Sequence, residues 1–170
     1  KSGTVPNAVP GEAEAELSLP LNRILPIMEA FMEKSEFACA AEATDEGCRI
    51  KVTGVAAHAS MPEQGKNAFL ALIALLDKLP LEREDAKTVS ALAALLRFDL
   101  HGEAFGLDIA DASGRLTLNV GVVDWDETGI KRLTVDIRAP ISADGGMIRQ
   151  KLVEGFGPAG LVEIKASWSE

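Results

Sequence analysis

The sequence has 170 residues, 47% hydrophobic and 25% charged, the proportions of a folded globular chain. It carries 26 acidic and 17 basic side chains, a net charge of -9, no tyrosine and an aromatic share of 5%. No nucleic-acid partner is expected on that balance, because a phosphate backbone needs a clustered positive patch, and no membrane is expected because no apolar run approaches the ~20 residues that cross a bilayer.

A chain of this length buries on the order of 70% of its unfolded surface, so it needs neither a metal nor a disulfide to hold it. It opens on Lys1-Ser2-Gly3 without an initiator methionine and stops at Ser169-Glu170 directly after a strand-like segment, which predicts a piece of a longer polypeptide. The absence of linker composition predicts a single domain over 1–170.

In chain order, an irregular stretch around Asn7-Ala8-Val9-Pro10 leads into a strand at 13–19. Leu21, Ile24, Leu25, Met28, Phe31 and Met32 recur at helical spacing and predict an amphipathic helix over 22–34, with Pro26 near its first turn. Segments 37–43 and 49–57 form a hairpin across the Asp45/Gly47 turn. That turn places Cys48 opposite a residue near position 43 rather than Cys39, so the two cysteines are expected as buried free thiols, as in the cytoplasm.

Cys48, Ile50, Val52, Ala56 and His58 share one parity, which leaves open whether His58 points into the core or past it. Ser60 and Glu63 have the form of a capping box, and with Pro62 they predict a helix from about Met61 to Leu79. A second helix is predicted over 86–98 and a glycine-punctuated loop over 99–114. Alternating strands at 115–123 and 130–139, a helix over 142–155 closed by Gly155, Gly157 and Pro158, and a last strand at 162–168 complete the order.

Two strand-helix-strand modules emerge, 13–43 and 130–168. The fold class is α+β: a two-layer sandwich, largely antiparallel, with helices on one face and two ferredoxin-like pseudo-repeats.

The parts of an ordinary active site are missing. The sequence has no His-x-Asp, no Glu-Glu pair, no His-Glu-x-x-His, no phosphate loop and no Gly-x-Ser-x-Gly. With two histidines, His58 and His101, and two cysteines, no metal site is expected in this chain. His101 is expected to be a loop residue.

One stretch is specific. Ala57-His58-Ala59-Ser60-Met61-Pro62-Glu63-Gln64-Gly65-Lys66-Asn67-Ala68 closely resembles the His-Ala-Ser-x-Pro-Glu-x-Gly-x-Asn-Ala signature of the di-zinc peptidase superfamily that includes aminoacylase, carnosinase and the Xaa-His dipeptidases. In that family the signature lies in the lid, or dimerisation, domain inserted into the catalytic domain. Asn7-Ala8-Val9-Pro10, Asn119-Val120-Gly121-Val122 and Asp136-Ile137-Arg138-Ala139-Pro140 are similar to three further lid segments.

The resemblance implies a fragment inactive by itself, which caps a dipeptide or N-acyl amino acid while two zinc ions in a separate catalytic domain drive hydrolysis. It further implies that His58 stabilises the developing oxyanion and that Arg138 and Asn7 grip the terminal carboxylate. A free-standing ligand-binding or regulatory module, or a dimerisation element, remain the alternatives.

Overall fold

The computed structural model of the protein describes residues 1–160. The strands are β1 (Ala8–Val9), β2 (Glu12–Leu17), β3 (Ala38–Thr44), β4 (Gly47–Thr53), β5 (Ala57–His58), β6 (Ala110–Asp111), β7 (Gly114–Arg115), β8 (Thr117–Asp126) and β9 (Gly129–Arg138). The helices are α1 (Leu21–Met32), α2 (Ala68–Leu76), α3 (Arg83–Leu96) and α4 (Gly145–Phe156). This is the expected α+β class. The predicted strand at 162–168, and with it the end of the second pseudo-repeat, lies outside the described residues.

The first module is a split β-α-β unit. Strands β2 and β3 both run antiparallel to β4, which lies between them, and α1 connects the two outer strands. Ala13, Ala15 and Leu17 face Val52, Ile50 and Cys48, which in turn face Cys39, Ala41 and Ala43. This row is the apolar face, and α1 and α2 pack on it. The opposite face carries Glu12, Glu16, Glu42, Arg49 and Lys51, joined by the ion pairs Arg49–Glu16, Arg49–Glu42 and Lys51–Glu12. Exposed pairs of this kind add little stability, about 0–1 kcal/mol each, so the apolar side drives assembly.

Strands β8 and β9 form the second antiparallel pair, from Thr117↔Arg138 to Asp126↔Gly129. Ser2 stitches the two halves into one surface by bridging antiparallel to Ala13 on one side and Val123 on the other. Helix α2 is buried on nearly every side, from Ala68 through Leu76, because the sheet lies beneath it and α3 packs against it. An all-apolar helix is stable only when so enclosed.

Three local expectations change. The predicted strand 49–57 breaks at Gly54, whose N–H donates to Gly11 O at 2.8 Å while Val55 and Lys66 exchange backbone hydrogen bonds. A Cβ at Gly54 would stand 2.0 Å from Lys66 O, so a side chain there would block the close approach. The predicted helix 61–79 begins seven residues later, after a 3-10 turn at Pro62–Gln64, and its cap is Asn67 rather than Ser60. Asn67 Oδ1 accepts from Phe69 N at 3.0 Å and Leu70 N at 3.4 Å. Pro26 lies inside α1 instead of in its first turn, on the exposed face, where the missing N–H costs one hydrogen bond of the helix.

Both cysteines are free, and Cys48 sits opposite Ala43 as the turn arithmetic requires. Burial pushes both thiols above their ordinary pKa, which suppresses the reactive thiolate. In the native protein, iodoacetamide should label Cys48 far more slowly than the same cysteine in denaturant, with Cys39 intermediate. Labelling of Cys48 at the denatured rate would contradict the packing described here.

Candidate functional site

The site is assembled where β4 gives out. Beyond Gly54 the chain turns back on itself and β5 pairs antiparallel with β1, in the register Ala8↔His58 and Val9↔Ala57. Ala59 N donates to Asn7 O at 2.9 Å. The strand break therefore takes His58 out of the apolar row of β4 and places it, exposed, beside the backbone of Asn7.

The residues after His58 set its ring. Ser60 N donates to His58 Nδ1 at 3.3 Å, and Ser60 Oγ lies 2.7 Å from the same nitrogen. A backbone N–H can only donate, so Nδ1 is the acceptor and the neutral ring carries its proton on Nε2. This is the work of the Ser60 hydroxyl in place of helix capping. The outcome is an N–H donor on the exposed end of a ring whose other end is fixed by its own turn.

Arg138 ends β9 opposite Thr117. Directly paired residues of an antiparallel ladder project to the same face. The Thr117 hydroxyl donates to Ala59 O at 3.4 Å, so the face that carries Arg138 is also the face on which the His58–Ala59 turn lies. The Arg138 side chain is about half exposed, at 47%, and its Nε stands 3.3 Å from Asp136 Oδ2. That separation is within ion-pair range, but the pair lacks hydrogen-bond alignment and Asp136 Oδ2 is a buried acceptor with no donor.

Beyond Arg138 the chain is held by Asp111. Its carboxylate accepts from Ser142 N and Ser113 N, while Ser113 Oγ also accepts from Ile141 N. Hydrogen bonds from Ser113, and then from Ser142, hold the Asp111 carboxyl well below the usual carboxylate range.

The remaining sequence candidates separate clearly. His101 lies in the loop as expected: its Nδ1 donates to Leu116 O at 2.8 Å, which ties loop to strand. Among the described residues, no group of three or more His, Cys, Asp or Glu side chains is placed to hold a metal ion. The described residues therefore do not fit a zinc site, and no helix among them is long and apolar enough to cross a membrane.

Sequence reasoning flagged Asn119 only as part of a motif and missed Asn67 as the helix cap. The signal was present, since both are amides set directly against apolar runs, Ala68-Phe69-Leu70 in one case and Leu118 and Val120 in the other. A polar group so placed must find partners inside the protein.

Residues 46–127 match the family model described as Peptidase dimerisation domain. Residues 46–127 carry a peptidase dimerisation domain. The chain is 26% identical over 166 residues to the Beta-Ala-Xaa dipeptidase of Lactobacillus delbrueckii subsp. lactis, covering 96% of this chain and 35% of that protein. It is 29% identical over 151 residues to the dipeptidase-named YtjP of Bacillus subtilis (strain 168), covering 88% of this chain and 33% of that protein. A dipeptidase-named protein of Staphylococcus epidermidis (strain ATCC 12228 / FDA PCI 1200) is 31% identical over 146 residues, covering 82% of this chain and 30% of its own length. The chain thus spans about a third of the length of the relatives it matches.

In this chain, ring-nitrogen NMR at mildly alkaline pH should find His58 with its proton on Nε2. Ser60→Ala should raise the share of the other tautomer by removing the hydroxyl donor. A wild-type ring protonated mainly on Nδ1 would contradict the hydrogen-bond assignment.

Proposed function

We propose that the chain is the substrate-capping lid of a zinc-dependent dipeptidase and that 1–170 is one such domain within a longer peptidase. The observation that carries this reading is the outward Nε2–H of His58, fixed from behind by Ser60 and set on the same face as Arg138. The relatives' dipeptidase names, and the share of their length that this chain spans, support it.

The chemistry required of these residues is modest. When a peptide carbonyl is attacked, negative charge gathers on its oxygen, and a prepositioned N–H donor stabilises that charge more than it stabilises the uncharged carbonyl. His58 supplies such a donor. The planar guanidinium of Arg138 suits the terminal carboxylate of a dipeptide or N-acyl amino acid, which it meets with two parallel hydrogen bonds. Asn7 stands beside His58 and adds an amide to that grip.

Two zinc ions, which supply the activated water, would be held by residues outside this chain. The chain alone would then cleave nothing. A closed cap also excludes water, which strengthens each of these interactions.

The full-length gene product should hydrolyse a β-alanyl dipeptide in the presence of zinc and lose activity on chelation. His58→Ala should lower kcat by about 10²–10³. Arg138→Lys should raise KM by about ten- to a hundredfold, the worth of one charge-assisted hydrogen bond, and should leave a substrate with an amidated terminus unaffected. Full kcat in His58→Ala would remove the proposed role.

A further inference from the structure

Asn119 is the third residue of β8, with 3% of its surface exposed, between the buried Leu118 and Val120. An amide in such a place is expensive unless its donors and acceptor are all used. They are. Its Nδ2 donates to Ala8 O at 2.8 Å and to Pro6 O at 3.4 Å, and its Oδ1 accepts from Asn67 Nδ2 at 3.1 Å.

Asn67, 6% exposed, is equally occupied. Its Oδ1 caps α2, and its Nδ2 is shared between Asn119 Oδ1 and Val120 O at 3.0 Å. The α2 terminus, the most enclosed helix of the fold, therefore acts as the anchor.

The two carbonyls that Asn119 holds bracket Asn7, and one of them belongs to Ala8, the ladder partner of His58. The same strand carries Thr117, the partner of the site arginine, and Asn119 faces Asp136 two positions along the ladder from Thr117↔Arg138. Gly121 completes the seat. A Cβ there would stand 2.2 Å from Pro6 O, so only glycine lets the segment lie this close to β8. The Asn-x-Gly pair at 119 and 121 is thus a dock for residues 6–8: one residue grips the segment and the other makes room for it.

We propose that Asn119 is a positioning residue of the site, which fixes Asn7 and His58 against the strand that orients Arg138, with Asn67 as its anchor. The tie itself is a matter of geometry; its consequence for hydrolysis rests on the capping role. The amide chemistry is specific. Aspartate at 119 would lose both donors and would set a carboxylate oxygen against a carbonyl oxygen.

Two readouts separate positioning from simple stability. The first is amide hydrogen exchange in Asn119→Ala. Ala59 N–H, which bonds Asn7 O, should exchange at least about tenfold faster, while Leu72 and Ile73 in α2 keep their wild-type protection. Asn67→Asp is the second variant, useful where Asn119→Ala fails to fold, since a carboxylate still caps the helix but cannot donate to Asn119; it should give the same pattern. The second readout is kinetics in the full-length protein, where either variant should lower kcat/KM for a dipeptide by about ten- to a hundredfold at a temperature well below its own, lowered Tm, where it is fully folded.

Unchanged exchange at Ala59, or a uniform rise that includes α2, would overturn the proposal. So would faster exchange at Ala59 with kcat/KM intact. Wild-type full-length protein that cleaves no dipeptide would instead overturn the capping role, while the exchange pattern would still report whether the tie exists.

Discussion

Two side-chain amides, buried where the chain can least tolerate an unpaired polar group, join three pieces of this protein distant in sequence. Asn67 belongs to a helix terminus, Asn119 to a strand, and the carbonyls of Pro6 and Ala8 to the segment that leads into the sheet. A network of this kind admits little slack, since each lost partner leaves a buried group unsatisfied, at about 1–3 kcal/mol. The position of the β1–β5 ladder against β8 follows from it, and so does the place of His58.

Once that ladder is fixed, the local chemistry is short-range. Gly54 ends β4 and frees the next residues from its inward-outward alternation. Ser60 then turns back on the imidazole and fixes its tautomer, and the Thr117 hydroxyl ties the turn to the strand pair that ends in Arg138. Helix α2 supplies rigidity rather than chemistry. The face that carries His58 and Arg138 is therefore backed by a helix buried on nearly every side, while both residues stay exposed. A donor held in this way loses little entropy when it meets a substrate.

Much of this was legible in the sequence because it depends on period and turn length. Alternation in β8 and β9, the register that sets Cys48 opposite Ala43, and the amphipathic stripe of α1 all follow from local rules. The start of α2 did not, because Ser60 and Glu63 satisfy the pattern of a cap while a competing partner, the His58 ring, takes the serine. The exposure of His58 was equally hidden: parity along one strand carries no information past a break, and the break at Gly54 is caused by Lys66, a contact made only after folding. Arg138 and Asn7 were recognisable by resemblance, but the bonds that tie each to the turn after His58, from Thr117 opposite Arg138 and from Ala59 N to Asn7 O, join residues more than 50 positions apart.

The most direct test is a crystal structure of the full-length protein bound to a phosphinic dipeptide analogue, whose tetrahedral phosphorus stands in for the attacked carbonyl carbon. The capping account predicts His58 Nε2 within hydrogen-bond reach, about 2.7–3.1 Å, of a phosphinate oxygen, with the Arg138 guanidinium on the terminal carboxylate. An analogue bound and buried in the catalytic domain while His58 and Arg138 both face solvent would contradict it.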